Sequence, residues 1–163
     1  MRKTITALDI ESSAFDGYPI QIGVIREDKK TYESLIKPHE EWLVDLPWDY
    51  NAQCIHNIPQ EKVIEKGRNV KVVAKELNDF LGSSDVFVDS VYDIYWLDLL
   101  FEFAEIKRTF HVFVLEKIMP EDFIIHWNAI FALVMKSTGL KLHNALSDAK
   151  MIQLTFERIA QYY

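Results

Sequence analysis

Residues 4–11 (TITALDIE) form a β-branched run that alternates between faces, the period-two pattern of a half-buried strand. Residues 18–26 (YPIQIGVIR) and 31–37 (TYESLIK) repeat it. With the polar turn Glu27-Asp28-Lys29-Lys30 between the latter two, the three segments make an antiparallel meander. Pro38 ends the third strand. Residues 38–59 then carry no clear period and are expected to be irregular, with Trp42, Trp48 and Tyr50 as packing aromatics rather than base-stacking ones. Pro59 opens a short helix over 60–66 that Gly67 stops. Residues 70–81 place Val73, Leu77, Phe80 and Leu81 at helical spacing, with Gly82 as C-cap.

Residues 85–89 (DVFVD) read as a short buried strand that leads into a helix over 90–104, whose apolar stripe is Leu97, Leu100, Phe101 and Ala104. A further strand is expected over 111–117 (HVFVLEK). Pro120 introduces a long helix to about residue 138, with Gly139 beyond it. The last helix runs from the N-cap Asn144 to about residue 161, with Ala145, Ala149, Ile152, Phe156 and Ile159 on its buried face. No repeat, low-complexity tract or linker divides the chain, so residues 1–163 are expected to form one domain.

Four acids interrupt these apolar faces. Asp9 and Glu11 lie one residue apart and so project from the same face of the first strand, while Leu8 and Ile10 turn to the other. Asp93 sits one turn above Leu97 on the inner stripe of its helix, and Asp148 is on the inner stripe of the last helix. An acid on an apolar face points inward, toward the strand ends. His143 stands just before the cap of the last helix. Carboxylates held that close need protons, basic partners or a metal, and oxygen-only ligand sets suit magnesium or manganese. Asp9, Glu11, Asp93 and Asp148 supply hard ligands for two divalent cations about 3.5–4 Å apart, the arrangement that clamps a phosphoryl displacement. His143 adds a proton acceptor near neutral pH. The chemistry expected is phosphodiester hydrolysis with water as nucleophile.

Composition narrows this. At 49% hydrophobic and 26% charged, the chain has the balance of an ordinary globular protein, with no apolar run as long as a membrane span. Its single cysteine, Cys54, forms no internal disulfide and fits a reducing compartment, so a cytoplasmic location is expected. The formal charge of −7 argues against broad electrostatic binding to duplex nucleic acid. With the four site acids assigned to cations, −3 remains; phosphate contact would then be local and metal-mediated.

The motifs Leu8-Asp9-Ile10-Glu11-Ser12 with the trailing Pro19-Ile20-Gln21-Ile22-Gly23-Val24, then Ser90-Val91-Tyr92-Asp93, then His143-Asn144-Ala145-Leu146-Ser147-Asp148-Ala149 together resemble the DnaQ-like, or RNase T-like, family of 3′-to-5′ exonucleases in its DEDDh group. The third motif is the most specific, with its histidine five residues before the aspartate. The resemblance implies an RNase H-like α/β fold, a mixed five-stranded sheet flanked by helices. It implies Asp9, Glu11 and Asp148 as direct ligands of Mg2+ or Mn2+, Asp93 as a ligand of the second ion directly or through water, and His143 as general base. It further implies release of nucleoside 5′-monophosphates from 3′ ends of single-stranded or short nucleic acid, and leaves pairing of two copies open.

Substrate contacts are expected from the loop at Ser12, Ser13 and Phe15, and from His56 in Ile55-His56-Asn57-Ile58, which resembles a His-Gly-Ile turn with Asn in place of Gly. A plain turn and a satisfied loop histidine are the competing readings. Val88-Asp89 departs from the His-Asn that many members carry; an ionised Asp89 cannot donate the hydrogen bonds of that asparagine in contacting substrate or positioning the acid. Asp89 is also the one hint toward a rival reading, a nucleic-acid-binding domain of this fold without turnover. A purely structural domain with acidic surface patches is the third reading.

Overall fold

In the computed structural model, which describes residues 3–162, the sheet is built outward from β1 (Thr6–Ser12). β2 (Pro19–Ile25) pairs antiparallel to it and β3 (Thr31–Leu35) antiparallel to β2, completing the expected meander. On the other side of β1 lie β4 (Asp85–Val88) and then β5 (His111–Val114), both parallel, giving the order β3-β2-β1-β4-β5. β1 therefore lies where the sheet changes from antiparallel to parallel pairing, and the crevice beyond its C-terminal end is the usual ligand position in open α/β sheets.

Alternation along β1 feeds two cores. Leu8 and Ile10 enter the larger one, with Trp96, Leu97, Leu100 and Leu77 of the covering helices. Ile5 and Ala7 enter the other, with Phe123, Ile152 and Phe156. The first core is covered by α4 (Val70–Leu81) and α5 (Val91–Ala104), the second by α6 (Glu121–Thr138) and α7 (Ala145–Ala160). Each long helix begins and stops close to where its cap residues predict.

Two segments differ from expectation. Residues 38–59 contain two short helices, α1 (Glu40–Asp45) and α2 (Tyr50–His56), ahead of the expected α3 (Gln60–Lys66). Local capping holds them: His39 Nδ1 accepts from the Glu41 N–H at 3.4 Å, and Asp49 Oδ1 from that of Asn51 at 2.8 Å. Trp42 is buried and Trp48 packs near Tyr18, but Tyr50 is 71% exposed, so only two of these three aromatics pack. β5 also ends early. Its apolar alternation gives way at Leu115 to a short 3₁₀ turn, Leu115–Ile118, that drops Leu115 into the second core.

Candidate active site

β1 outruns β4. Pairing between them covers only Thr6 with Val86 and Ala7 with Phe87, so the edge of β1 beyond Ala7 faces no strand there. The Ile10 N–H on that stretch donates instead to Asp93 Oδ1 at 3.0 Å. Asp93 reaches this position because Ser90 caps α5, its Oγ accepting from the Tyr92 N–H at 3.2 Å, which sets Asp93 in the first turn over the strand end. It is 2% exposed. The inward placement expected from its helical stripe is therefore found.

Asp9 and Glu11 continue the face of β1 that carries Ile5 and Ala7, the face on which α7 lies. The close approach of α7 depends on Gly23, directly opposite Asp9 in the β1–β2 pairing. Any Cβ there would overlap the backbone of Ala145 and Leu146. Gln21, opposite Glu11, secures the same turn: its Oε1 accepts from the Ala145 N–H at 3.2 Å, and its Nε2 donates to Glu33 Oε1 at 2.9 Å. Asn144 caps the helix by accepting from the Ser147 N–H at 3.1 Å, while its amide donates to the same Glu33 oxygen at 3.2 Å.

That seating brings Asp148 over the end of β1. Its Oδ2 accepts the His143 backbone N–H at 2.8 Å, and its Oδ1 is buried without a partner. His143 itself is exposed and takes a left-handed backbone, φ 62°, uncommon for a residue with a side chain. One ligand atom each of Glu11, His143 and Asp148 lies within 4.8 Å of the other two; the same holds for Asp9, Asp89 and Asp93. Asp9, Glu11, Asp89, His143 and Asp148 line a common cavity of about 250 Å³, whose apolar wall is Phe131, Leu142 and Ile152. No lysine or arginine lines it among the described residues.

The electrostatic result is a set of carboxyls that resist ionisation. Burial pushes Asp9 well above the ordinary range, and Asp93, Glu11, Asp148 and Asp89 push it further. Glu11 is raised to about 7, by burial and then by Asp148. Asp148 is raised to about 6, by burial, against the lowering effect of the His143 N–H. Asp93 is raised by burial and by Asp89, despite the N–H groups of Ile10 and Ser90. The buried, partnerless Asp148 Oδ1 and a set of carboxylate oxygens with no lysine or arginine lining their cavity among the described residues fit hard divalent cations.

The expected substrate contacts divide. Phe15 is 65% exposed, its ring centroid 4.0 Å from that of Tyr92 beside the site. Ser12 Oγ donates to the Ala14 carbonyl at 2.8 Å, a local turn bond. Ser13 corrects the expectation: it is fully buried, donating to the Pro47 carbonyl and accepting from the Tyr18 N–H, so it builds the loop and presents nothing to a substrate. His56 ends α2 rather than occupying a loop, and is buried. Its Nδ1 accepts from the Ile58 N–H at 3.1 Å while Nε2 has no partner. Burial lowers its pKa, as does nearby His143. Asn57 follows in the left-handed region at φ 55°, the conformation glycine would favour and asparagine tolerates. Asp89 lies with the acids. The Gln21–Glu33 support and the Phe131–Leu142 wall were not anticipated, although a glutamine inside an apolar strand was a signal that a buried partner awaited it.

No family model matches the chain, and no curated protein does. Solved structures do. A full-length 3′-exonuclease superposes with a TM-score of 0.69 at 13% identity, over 98% of this chain and 61% of that one. E. coli exonuclease I in complex with a dA16 oligonucleotide gives 0.69 at 14%, over 99% and 43%. Exonuclease X in complex with 5′ overhanging duplex DNA gives 0.60 at 16%, over 97% and 92%. The chain thus spans under two thirds of the first, under half of the second and nearly the whole of the third. The fold these comparisons share with this chain is the RNase H-like α/β fold, a mixed five-stranded sheet flanked by helices, and the proteins that carry it here are exonucleases.

Proposed function

We propose that the protein is a metal-dependent 3′-to-5′ exonuclease acting on single-stranded or short nucleic acid and releasing nucleoside 5′-monophosphates. The observation that carries this reading is the convergence of Asp9, Glu11, Asp93 and Asp148 with His143 at the C-terminal end of β1, where among the described residues no lysine or arginine lines the cavity to balance the acids. Two divalent cations, Mg2+ or Mn2+, would be held by those four acids and, when bound, would stabilise the attacking and leaving oxygens of an in-line displacement.

The chain's own residues supply the rest. His143, on an exposed loop at the cavity, accepts a proton from the attacking water. The water oxygen bonds to phosphorus, the bond from phosphorus to the 3′-oxygen breaks, and that oxygen leaves with the shortened strand and takes up a proton from solvent. Asp148 holds the His143 loop through its backbone N–H. Gln21, Glu33 and Asn144 fix the turn that carries both residues. Phe15 and Tyr92 offer an exposed aromatic pair beside the site, suited to stacking on a terminal base.

The test is degradation of 5′-labelled single-stranded DNA, single-stranded RNA and dinucleotides with Mg2+ or Mn2+, alongside Asp148→Asn. A ladder shortening from the 3′ end, mononucleotide 5′-phosphates as product and no turnover by the variant are expected. Internal cleavage, or no cleavage of any substrate with either ion, would overturn the reading. The rival of a binding domain without turnover makes a different prediction, cation-dependent oligonucleotide binding with all three substrates intact.

A further inference from the structure

The position that departs from the exonuclease motif is Asp89, and the sheet explains what its carboxylate does. β1 and β4 run parallel with Ala7 opposite Phe87, and both residues belong to the core beneath α7. Two residues further along each chain, on the same face, come Asp9 and Asp89. The pairing itself stops at Ala7 and Phe87, and Asp89 stands at the bend just past β4, so the two acids flank the opening where the strands part. The chain turns at Asp89 into the Ser90 cap of α5, which returns Asp93 to the same place, where its Oδ1 accepts from the Ile10 N–H. One carboxylate oxygen from each of Asp9, Asp89 and Asp93 falls within 4.8 Å of the other two.

We propose that Asp89 is a fifth carboxylate ligand, closing with Asp9 and Asp93 a three-carboxylate site that holds one divalent cation without help from substrate. This rests on the metal-dependent reading above and deepens it. An asparagine at this place would add a neutral carbonyl; the aspartate adds a full negative charge and two more acceptor sites. Three anionic ligands suit a hard cation such as Mn2+ or Mg2+. Among the described residues no lysine or arginine lines the cavity to take that role instead, and Asp89 lines it together with Asp9, Glu11, Asp148 and His143. The consequence is a division of labour: a cation at Asp9, Asp89 and Asp93 would be held by three carboxylates of the protein alone, whereas Glu11 and Asp148 would offer two to a second, weaker one.

Direct binding tests this without any turnover. Mn2+ is titrated into the full chain by calorimetry, with no nucleic acid present, for the wild type, Asp89→Asn and Asp89→Ser. The wild type is expected to show a tight event followed by a weaker one. In Asp89→Asn the tight event should weaken at least about tenfold, the lower end of what losing even an indirect metal partner costs. Thermal unfolding in chelator accompanies it and should show the variant at least as stable as wild type, because removing one anion relieves repulsion. An isotherm for Asp89→Asn that matches the wild type overturns the proposal and leaves the exonuclease reading standing. A wild type that binds no Mn2+ at all overturns both. Should Asp89→Asn not fold, Asp89→Ser is read by the same titration, and a tight event retained there counts equally against the assignment.

Discussion

Removing divalent cations at raised pH is the perturbation to which this site should respond most strongly. Glu11 ionises only near about 7 instead of its ordinary 4.5, and Asp148 near about 6 instead of 3.8. A carboxyl whose pKa is higher folded than unfolded binds more protons in the native state between the two values, so stability falls as pH rises through that interval. The window runs from roughly 4 to 7 for these two groups, and Asp9 and Asp93 act in the same direction. At about 1.4 kcal/mol for each tenfold change in proton affinity, Glu11 and Asp148 each account for at most about 3 kcal/mol. They are not additive, because the Asp148 charge is part of what raises Glu11, and both keep some water contact. A combined loss of about 3–4 kcal/mol lowers the midpoint of a domain this size by roughly 10 °C.

Other groups can be separated from this. Glu76 beside Arg68 and Glu105 beside Lys71 have lowered pKa values, so their contributions are complete above pH 4.5 and lost only in acid. His56 opposes the trend: its pKa is depressed, so folding gains stability as pH rises toward 6.5 and nothing beyond. The interval from 6.5 to 8 therefore isolates the tail of the carboxylate effect. The assay is thermal unfolding followed by circular dichroism at constant ionic strength, at pH 5, 6.5 and 8, in chelator and in Mn2+. In chelator the midpoint should fall across the series. Saturating Mn2+ should restore it most at pH 8, since a ligand at a hundred times its dissociation constant adds about 2.7 kcal/mol. A chelator midpoint that stays level or climbs between 6.5 and 8 would refute the reasoning.

Three further outcomes follow from single residues. His143→Ala should lose turnover by roughly 10²–10⁴, the usual cost of a general base, and lose any acidic limb that His143 causes in a pH–rate profile taken at saturating Mn2+; a wild-type rate with a wild-type limb would remove His143 from that role. Asp9→Asn should abolish hydrolysis yet unfold in chelator at a temperature no lower than wild type, because it removes the most crowded charge of the set; chelator-state destabilisation by several degrees would sink the repulsion argument. Gly23→Ala should damage activity and stability together, by about 1–3 kcal/mol, since its Cβ drives the start of α7 off β2; equilibrium denaturation with unchanged slope reads the loss, and a neutral result would mean that α7 seats elsewhere.

What could be read from the sequence was whatever a strong local period controls. The strand alternation around Asp9 and Glu11 and the helical stripes that turn Asp93 and Asp148 inward are properties of a few adjacent residues, and the fold keeps them. α1 and α2 were missed because six- and seven-residue helices carry too few turns to show a period, and their stability comes from a capping side chain and a buried Trp42. The end of β5 was missed because Leu115 is apolar in either conformation, and only the position of the second core decides which it takes. Asp89 illustrates a different limit. Its place in the motif suggested a lost substrate contact, whereas the parting of β4 from β1 just past Phe87 puts it among the acids, a juxtaposition of segments some eighty residues apart.

The same acids bear on how a chain of formal charge −7 meets a polyanion. Setting the five site carboxylates aside leaves −2, so the remaining surface is close to neutral and the obstacle to phosphate is concentrated at the cavity. Two divalent cations there would turn the local charge from −5 to −1, after which one phosphate can approach without crossing a repulsive field. Binding of a single-stranded oligonucleotide should then have two signatures. It should be undetectable in chelator and appear with Ca2+ or Mn2+. Its salt dependence should also be shallow: a single strand releases about 0.7 of a counterion for each phosphate neutralised by Lys or Arg, and with neither lining the cavity among the described residues only one or two such contacts are expected, for a slope of about −1. Fluorescence anisotropy with a 3′-unlabelled oligonucleotide and Asp148→Asn as a non-cleaving control, repeated at four salt concentrations, measures both. A slope steeper than about −3, or tight binding in chelator, would mean that the strand is held by a basic surface away from this site, and that the cations serve the chemistry alone.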